Sequence, residues 1–252
     1  MSFDVSAEAY NRFMGRFSVP LAQRFAEFAG VAAGYRGLDV GSGPGALTAE
    51  LVDRLGVAAV SSIDPSVSFT AALQNRFPEL DVRSGVAEQL PYPDGTFDVV
   101  LAQLVVHFMA DPVAGLREMA RVSRPGGVIA ACVWDHAGDG GPLSLFWRAV
   151  HEIDPSQPGE AGLAGASEGH LAELLNRGGL TDIESAALRV NVGFTSFEDW
   201  WDPFTLGVGP AGAYVASLDP EQRDALRTQC SRLLPEAPFE STVVAWAARA
   251  RV

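Results

Sequence analysis

The chain has 252 residues, 48% hydrophobic and 19% charged, enough to bury one large α/β core. Acidic residues outnumber basic ones by 31 to 18, and the net charge of −13 argues against a general affinity for nucleic acid or anionic lipid, because the summed field repels phosphates. Four histidines and two distant cysteines, Cys132 and Cys230, give no metal-ligand spacing and no disulfide framework, which points to a reducing cytoplasm.

The N-terminal stretch "MSFDVSAEAYNRFMGRF" has no apolar signal-peptide core, and no run approaches the roughly 18 apolar residues of a membrane span. Residues 6–30 read as one or two helices, broken near Pro20. "RGLDVGS" then reads as a buried strand. "ALTAELVDRLG" places Leu47, Leu51, Val52 and Leu55 at helical spacing, with Gly56 as a C-terminal cap. "AAVSSID" is a second strand, "SVSFTAALQNRF" a second helix and "LDVRSG" a short third strand. "TFDVVLAQLVV" is nearly all apolar, as a strand covered on both faces should be. "PVAGLREMARVSRPGG" is a helix stopping at the Pro-Gly-Gly of 125–127, and "VIAACVWD" is a fifth strand. Repeated strand–helix units of this length imply a doubly wound, mostly parallel sheet.

The second half is less regular. Gly- and Pro-rich loops flank a short helix around Phe146 and Trp147. "EGHLAELLNRGG" is a helix and "DIESAALRVNVGF" a strand. "SFEDWWDPF" opens on a good N-cap, Ser196, with Glu198 and Asp199 in its first turn. "DPEQRDALRTQCSRLL" is an amphipathic helix, and "STVVAWAARARV" is the last strand. The whole reads as one domain over residues 1–252. It has an N-terminal helical cover at 1–33, a cofactor-binding core at 34–135, and the remaining strands at 136–252 with a helical cap at about 194–240.

The stretch "LDVGSGPGAL" carries the chemistry. Gly41, Gly43 and Gly45 stand at the turn from first strand to first helix, where open α/β sheets bind ligands. The spacing G-x-G-x-G, followed by Ala46, is compatible with a dinucleotide pyrophosphate, with another ligand, or with a plain tight turn. Asp64 ends the second strand, 19 residues after Gly45, where a carboxylate can accept both hydrogen bonds of a ribose diol. The alternative is a helix cap. Ribose recognition implies a nucleoside without selecting one.

Two further stretches select it. "GVAEQLPYPDGTFDVVL" at 85–101 and "EMARVSRPGG" at 118–127, together with "LDVGSGPG", resemble the class I S-adenosylmethionine-dependent methyltransferases. The resemblance is to the small-molecule group related to quinone-biosynthesis enzymes, methyltransferase type 11. It covers residues 6–135 well and the remainder in outline. It implies a Rossmann-like seven-stranded sheet, mostly parallel, with an antiparallel last strand. It implies S-adenosylmethionine as cofactor and S-adenosylhomocysteine as product. Gly41, Ser42, Gly43 and Gly45 would surround the methionine part and ribose, and Asp39 would orient the amino group. Asp64 would bind the ribose hydroxyls, and Pro65 would pack on adenine. Ala87 and Glu88 would lie at the adenine edge, and Gln103 beside the methionine moiety. Tyr10 and Arg16 match an N-terminal helix that covers the cofactor, and Arg16 suits a carboxylate because its fork is bidentate. One departure is Val86, where the family often has an acidic residue for the adenine amino group.

The sulfonium methyl is already activated, so the site mainly aligns the nucleophile and excludes water. If a base is used, His107 in "VVHFM" is the first candidate. The acceptor pocket is expected from Phe17, Trp134, Trp147, Trp200, Trp201 and Phe204, with core packing the other reading. This implies a small, apolar or aromatic acceptor, no metal, no nucleic-acid partner, and a monomer or homodimer. Two other classes stay open: an NAD-type oxidoreductase and a non-catalytic protein that binds S-adenosyl ligands. The first lacks a Tyr-x-x-x-Lys pair, since the chain contains no lysine.

Overall fold

The computed structural model describes residues 6–252. The first five residues of the expected N-terminal cover lie outside them. Seven strands form one sheet: β1 (Gly37–Val40), β2 (Val60–Asp64), β3 (Asp81–Ser84), β4 (Phe97–Gln103), β5 (Ser123–Trp134), β6 (Glu184–Phe194) and β7 (Phe239–Arg251). Their order is β3-β2-β1-β4-β5-β7-β6. The first five pair in parallel, and β7 inserts antiparallel between β5 and β6. The expected mixed sheet is therefore what forms. Every residue of β1, β2 and β4 is buried, which is why their apolar runs are continuous rather than alternating. In β6, by contrast, Leu188, Val190, Val192 and Phe194 alternate with exposed residues, so one face meets solvent.

Helices cover both faces. On one side α2 (Arg16–Ala29) and α3 (Ala46–Leu55) bury Leu21, Phe25, Leu47 and Leu51. On the other, α5 (Pro112–Val122) and α7 (His170–Arg177) bury Leu116, Met119, Leu171 and Leu174. The helix α4 (Val67–Arg76) follows β2, and α6 (Ser144–Ile153) follows β5. A helical insertion joins β6 to β7. It comprises α8 (Phe197–Trp201), a 3-10 turn (Asp202–Leu206), α9 (Gly209–Ser217) and α10 (Pro220–Leu233). Ser196 caps α8 by accepting from the Asp199 amide, as its position implied.

Three elements differ from the sequence reading. The N-terminal helix does not break at Pro20. Instead α1 (Ala7–Tyr10) runs through a π-helical turn at Asn11–Gly15 into α2, and Pro20 sits inside α2. The widened turn lies just upstream of the proline, where it takes up the misfit of a ring that lacks an N–H. The helix expected to stop at the Pro-Gly-Gly of 125–127 ends earlier, at Val122, and Ser123 already pairs with Phe97 in the sheet. Arg124 precedes a proline and avoids helical backbone, so "RPGG" loops out as a bulge before pairing resumes at Val99–Val128. Helix α9 had no legible signal, because "GPAGAYVAS" is rich in small residues and carries no clear apolar stripe.

The three glycines after β1 all have positive φ, at 71°, 52° and 93° for Gly41, Gly43 and Gly45. A Cβ on Gly41 would run into Val105, 3.0 Å from its Cβ, whereas one on Gly43 would meet nothing within 4 Å. Gly41→Ala should therefore cost about 1–2 kcal/mol for the left-handed backbone plus about 1–3 kcal/mol of overpacking. Gly43→Ala should cost only the first part. Urea denaturation of both variants measures the difference, and equal losses would contradict the packing account.

Candidate active site

The carboxyl ends of β1, β2 and β4 converge on a cavity of about 480 Å³ at the point where strand order reverses between β1 and β4. Tyr10, Asp39, Gly41, Ser42, Gly43, Asp64, Pro65 and Gln103 all line it. The turn that bends toward it is anchored to β2: the amides of Gly41 and Ser42 both donate to the Ile63 carbonyl. Gly43 leaves an open cradle, since no protein atom stands where its Cβ would be.

Asp64 accepts from the Gly43 amide through Oδ2 and from the Ser66 amide through Oδ1, each at 2.8 Å. It thus ties the glycine turn to the start of α4. Asp39 accepts from Thr48 Oγ1 at 2.6 Å through Oδ2, while its Oδ1 is buried with no partner. Ser42 Oγ and Gln103 Oε1 are likewise buried without a partner, and Gln103 Nε2 donates to the Ser18 carbonyl at 3.0 Å. With Ser18 Oγ this makes four buried polar atoms without a partner on residues lining the cavity, a clustering rare in a native interior that suits a polar ligand.

The electrostatics have one sign. Burial raises the Asp39 carboxyl to about 7, the neighbouring Asp64 adds to the rise, and the Thr48 bonds oppose it. Burial raises Asp64 too, against the Gly43 and Ser66 amides. Burial and then Asp64 push the Tyr10 phenol up to about 12, so it stays protonated. Among the described residues no arginine or histidine lines the cavity. Tyr10 closes one side, its ring 5.4 Å edge-on from Phe69 at the start of α4.

Four other expected cofactor residues lie elsewhere. Gly45 sits one step behind the cavity as the N-cap of α3. Arg16 does not face the cavity: it pairs with Asp199 of α8 at 2.6 Å and stacks 4.8 Å over the Phe194 ring. Ala87 is buried in the core cluster beside α5, and Glu88 accepts from the Asp111 amide at the α5 N-terminus. Val86, the departure from the family, is exposed and lines no part of the cavity. The structure adds residues the sequence reading missed. Ser66–Phe69 lie within five residues of Asp64, and Leu104, Val105 and Phe108 within five of Gln103, so nearness in sequence was their signal. Leu104 adopts φ 62°, rare for a residue with a side chain, and marks the sharp turn at the end of β4. Ser18, on a helix 85 residues from Gln103, had none.

A second, smaller chamber of about 40 Å³ shares Tyr10, Leu104 and Phe108 with the cavity. His107 and Trp134 line it, with His136, Glu160, Met14 and Ala211. Burial lowers His107 well below its ordinary 6.5, with His136 adding to the fall, so its imidazole is neutral at pH 7. The other five aromatics expected at the acceptor are packing residues. Phe17 contacts Trp134 and Phe194, and Phe204 stacks on Phe146 at 4.5 Å and contacts Trp200 and Trp201. Trp147 Nε1 donates to Glu160 at 2.6 Å. Among the described residues no group of three or more His, Cys, Asp or Glu could hold a metal ion.

The sheet order and the cavity at its switch point define a Rossmann-like nucleoside-binding fold. Comparison with known proteins narrows the class. Residues 38–131 match the family model described as a methyltransferase domain. The demethylmenaquinone methyltransferase of Beutenbergia cavernae is 42% identical over 98 residues, 39% of this chain and 40% of that protein. An uncharacterized methyltransferase of Mycobacterium tuberculosis is 38% identical over 136 residues, 54% of this chain and 52% of that protein. The matched stretch thus spans about half or less of the curated relatives' length. Among solved structures, the YcgJ protein of Bacillus subtilis aligns with a TM-score of 0.58 at 19% identity, covering 93% of this chain and 97% of that one. A phosphoethanolamine N-methyltransferase of Haemonchus contortus, solved with phosphomonomethylethanolamine and S-adenosylhomocysteine, aligns at 0.59 and 18% identity, covering 97% of this chain and 56% of that one. At those identities the likeness shows the fold. Over residues 38–131 the chain is thus similar to a methyltransferase domain, with quinone-biosynthesis methyltransferases among the relatives it matches.

The raised Asp39 carboxyl makes stability depend on pH. The folded state holds a proton up to about pH 7 that the unfolded chain releases near 3.8. That contribution is full below about pH 4 and lost as pH rises through 7, at up to about 1.4 kcal/mol per pH unit. Asp39→Asn, which cannot ionise, should gain stability over the parent protein between pH 5 and 8 in thermal denaturation without ligand. Parallel pH profiles would show that Asp39 titrates normally.

Proposed function

We propose that the cavity binds S-adenosylmethionine and that the protein moves its methyl group to a small, apolar or aromatic acceptor. One observation carries this reading: two buried carboxylates, Asp39 and Asp64, line the cavity, and among the described residues no cationic side chain lines it with them. Such a wall disfavours the pyrophosphate of NAD and favours a ligand with positive charge. S-adenosylmethionine brings an ammonium and a sulfonium, together with a ribose diol and a methyl activated for in-line transfer.

The donors and acceptors fit. Asp39 Oδ1 is free to accept from the ammonium, and Gln103 Oε1 and Ser42 Oγ stand unsatisfied on the same wall. Asp64 keeps lone pairs for the ribose diol after its two amide bonds. Gly43 allows close approach. Pro65 and Phe69 offer apolar surface for the base. Tyr10, at the end of α1, closes one side of the cavity. His107 is neutral and a weak base, so alignment contributes more than proton abstraction. Relatives named for demethylmenaquinone methylation support a ring-bearing acceptor. The free, buried thiols of Cys132 and Cys230 fit a reducing cytoplasm. Among the described residues, no helix is long and apolar enough to cross a membrane.

Isothermal titration with S-adenosylhomocysteine and with NAD separates the two nucleoside classes. S-adenosylhomocysteine should bind. Asp64→Asn should weaken it about 10- to 150-fold, the worth of one charged hydrogen bond at about 1.5–3 kcal/mol. Binding of NAD alone would overturn the reading.

A further inference from the structure

The small chamber beside the cavity holds more unsatisfied polarity than packing explains. Trp134 is buried, and its Nε1 has no partner. His107 Nδ1 and His136 Nε2 are also buried and unpartnered, and the two imidazoles lie 5.7 Å apart, edge to face. All three residues line this one chamber. Glu160 joins them, only 4% exposed, with Trp147 Nε1 on one of its oxygens. Met14, Phe13, Leu143 and Ala211 supply apolar walls. Among the described residues no arginine lines the chamber. Burial holds both imidazoles neutral at pH 7, lowering His136 to about 4.

Each unsatisfied buried group costs about 1–3 kcal/mol, so three in one place call for a visitor. The indole can only donate. A neutral imidazole donates through one nitrogen and accepts through the other. A carboxylate or phosphate would satisfy the indole but would meet Glu160 with no cation to offset it. An ammonium would suit Glu160 but would leave the indole unused. A hydroxyl answers both needs, because its oxygen accepts from Trp134 and its proton goes to an imidazole or to Glu160. The volume agrees. About 40 Å³ admits one polar head, slightly more than a water's share of about 30 Å³.

We infer that Trp134, His136 and Glu160 form the acceptor's specificity subsite, which takes the hydroxyl head of an uncharged molecule and rejects anions. This rests on the methyl-transfer reading, with the body of the acceptor lying at the mouth that Tyr10, Leu104 and Phe108 share with the cofactor cavity. The hydroxyl is the anchoring group, whichever atom receives the methyl.

The test uses phenol and benzoate as probes of the protein loaded with S-adenosylhomocysteine, read by NMR of the Trp134 indole and His136 ring nitrogens. Phenol should shift both signals, and benzoate should bind at least tenfold more weakly. Trp134→Phe should weaken phenol several-fold while leaving S-adenosylhomocysteine affinity unchanged. Glu160→Gln should narrow the discrimination against benzoate. Should Trp134→Phe fail to fold, the two probes on the unmodified protein still decide. Equal or tighter binding of benzoate would overturn the inference. So would phenol binding that leaves both signals unmoved, which would mean that the chamber holds ordered water only. If S-adenosylhomocysteine binds and phenol ignores the chamber, this inference alone fails. If S-adenosylhomocysteine does not bind, the methyl-transfer reading fails instead.

Discussion

Two carboxylates sit in one buried cleft, and among the described residues no cationic side chain lines it to offset them. Burying a charge is expensive unless it is paired or well hydrogen-bonded. The fold meets part of that cost with its own groups: two backbone amides hold Asp64, and Thr48 holds one oxygen of Asp39. Asp39 Oδ1 is left over. The residual cost appears as a carboxyl that keeps its proton up to about pH 7. A cationic ligand would remove it, so the same geometry that destabilises the free protein at neutral pH favours binding. The sheet exists, for this purpose, to bring the ends of β1 and β2 side by side.

The glycine turn follows from that arrangement. For the Gly43 amide to reach Asp64, the chain must leave β1 sharply, and three positive φ angles in five residues achieve it. The three glycines are not equivalent. Gly41 is required by Val105, Gly45 opens α3, and Gly43, beside the cavity, has open space where a Cβ would stand. On the acceptor side the aromatic insertion holds its position by stacking. Phe204 lies flat on Phe146, so α8 and the 3-10 turn are fastened to α6 across the chain. The chamber then lies beneath α9, whose first residues, from Gly209 to Ala211, form part of its wall.

Much of the cavity's lining was legible because it is local. Gly41 to Gly45, Asp64 and Gln103 each stand at the end of a strand, and an open α/β sheet has one place for such residues to meet. Arg16 was misplaced because its partner, Asp199, lies 183 residues away, and local pattern carries no trace of that pairing. Glu88 answers to the amide of Asp111 rather than to the cavity, for a similar reason. On the acceptor side the aromatic residues were conspicuous and most of them pack. The polar groups that give the chamber its character, His136 and Glu160, come from irregular loops where no periodicity flags them. Pro125 was read as the stop of α5, but sheet pairing of Ser123 with Phe97, 26 residues away, ends the helix earlier, at Val122.

The central claim is that the unsatisfied wall of the cleft is completed by S-adenosylmethionine. A crystal structure of the S-adenosylhomocysteine complex tests it most directly. The account predicts the ligand amino group on Asp39 Oδ1, the ribose diol on Asp64 and the ligand backbone passing over Gly43. A ligand bound elsewhere, or bound in the cleft with Asp39 Oδ1 still unpartnered, would contradict it.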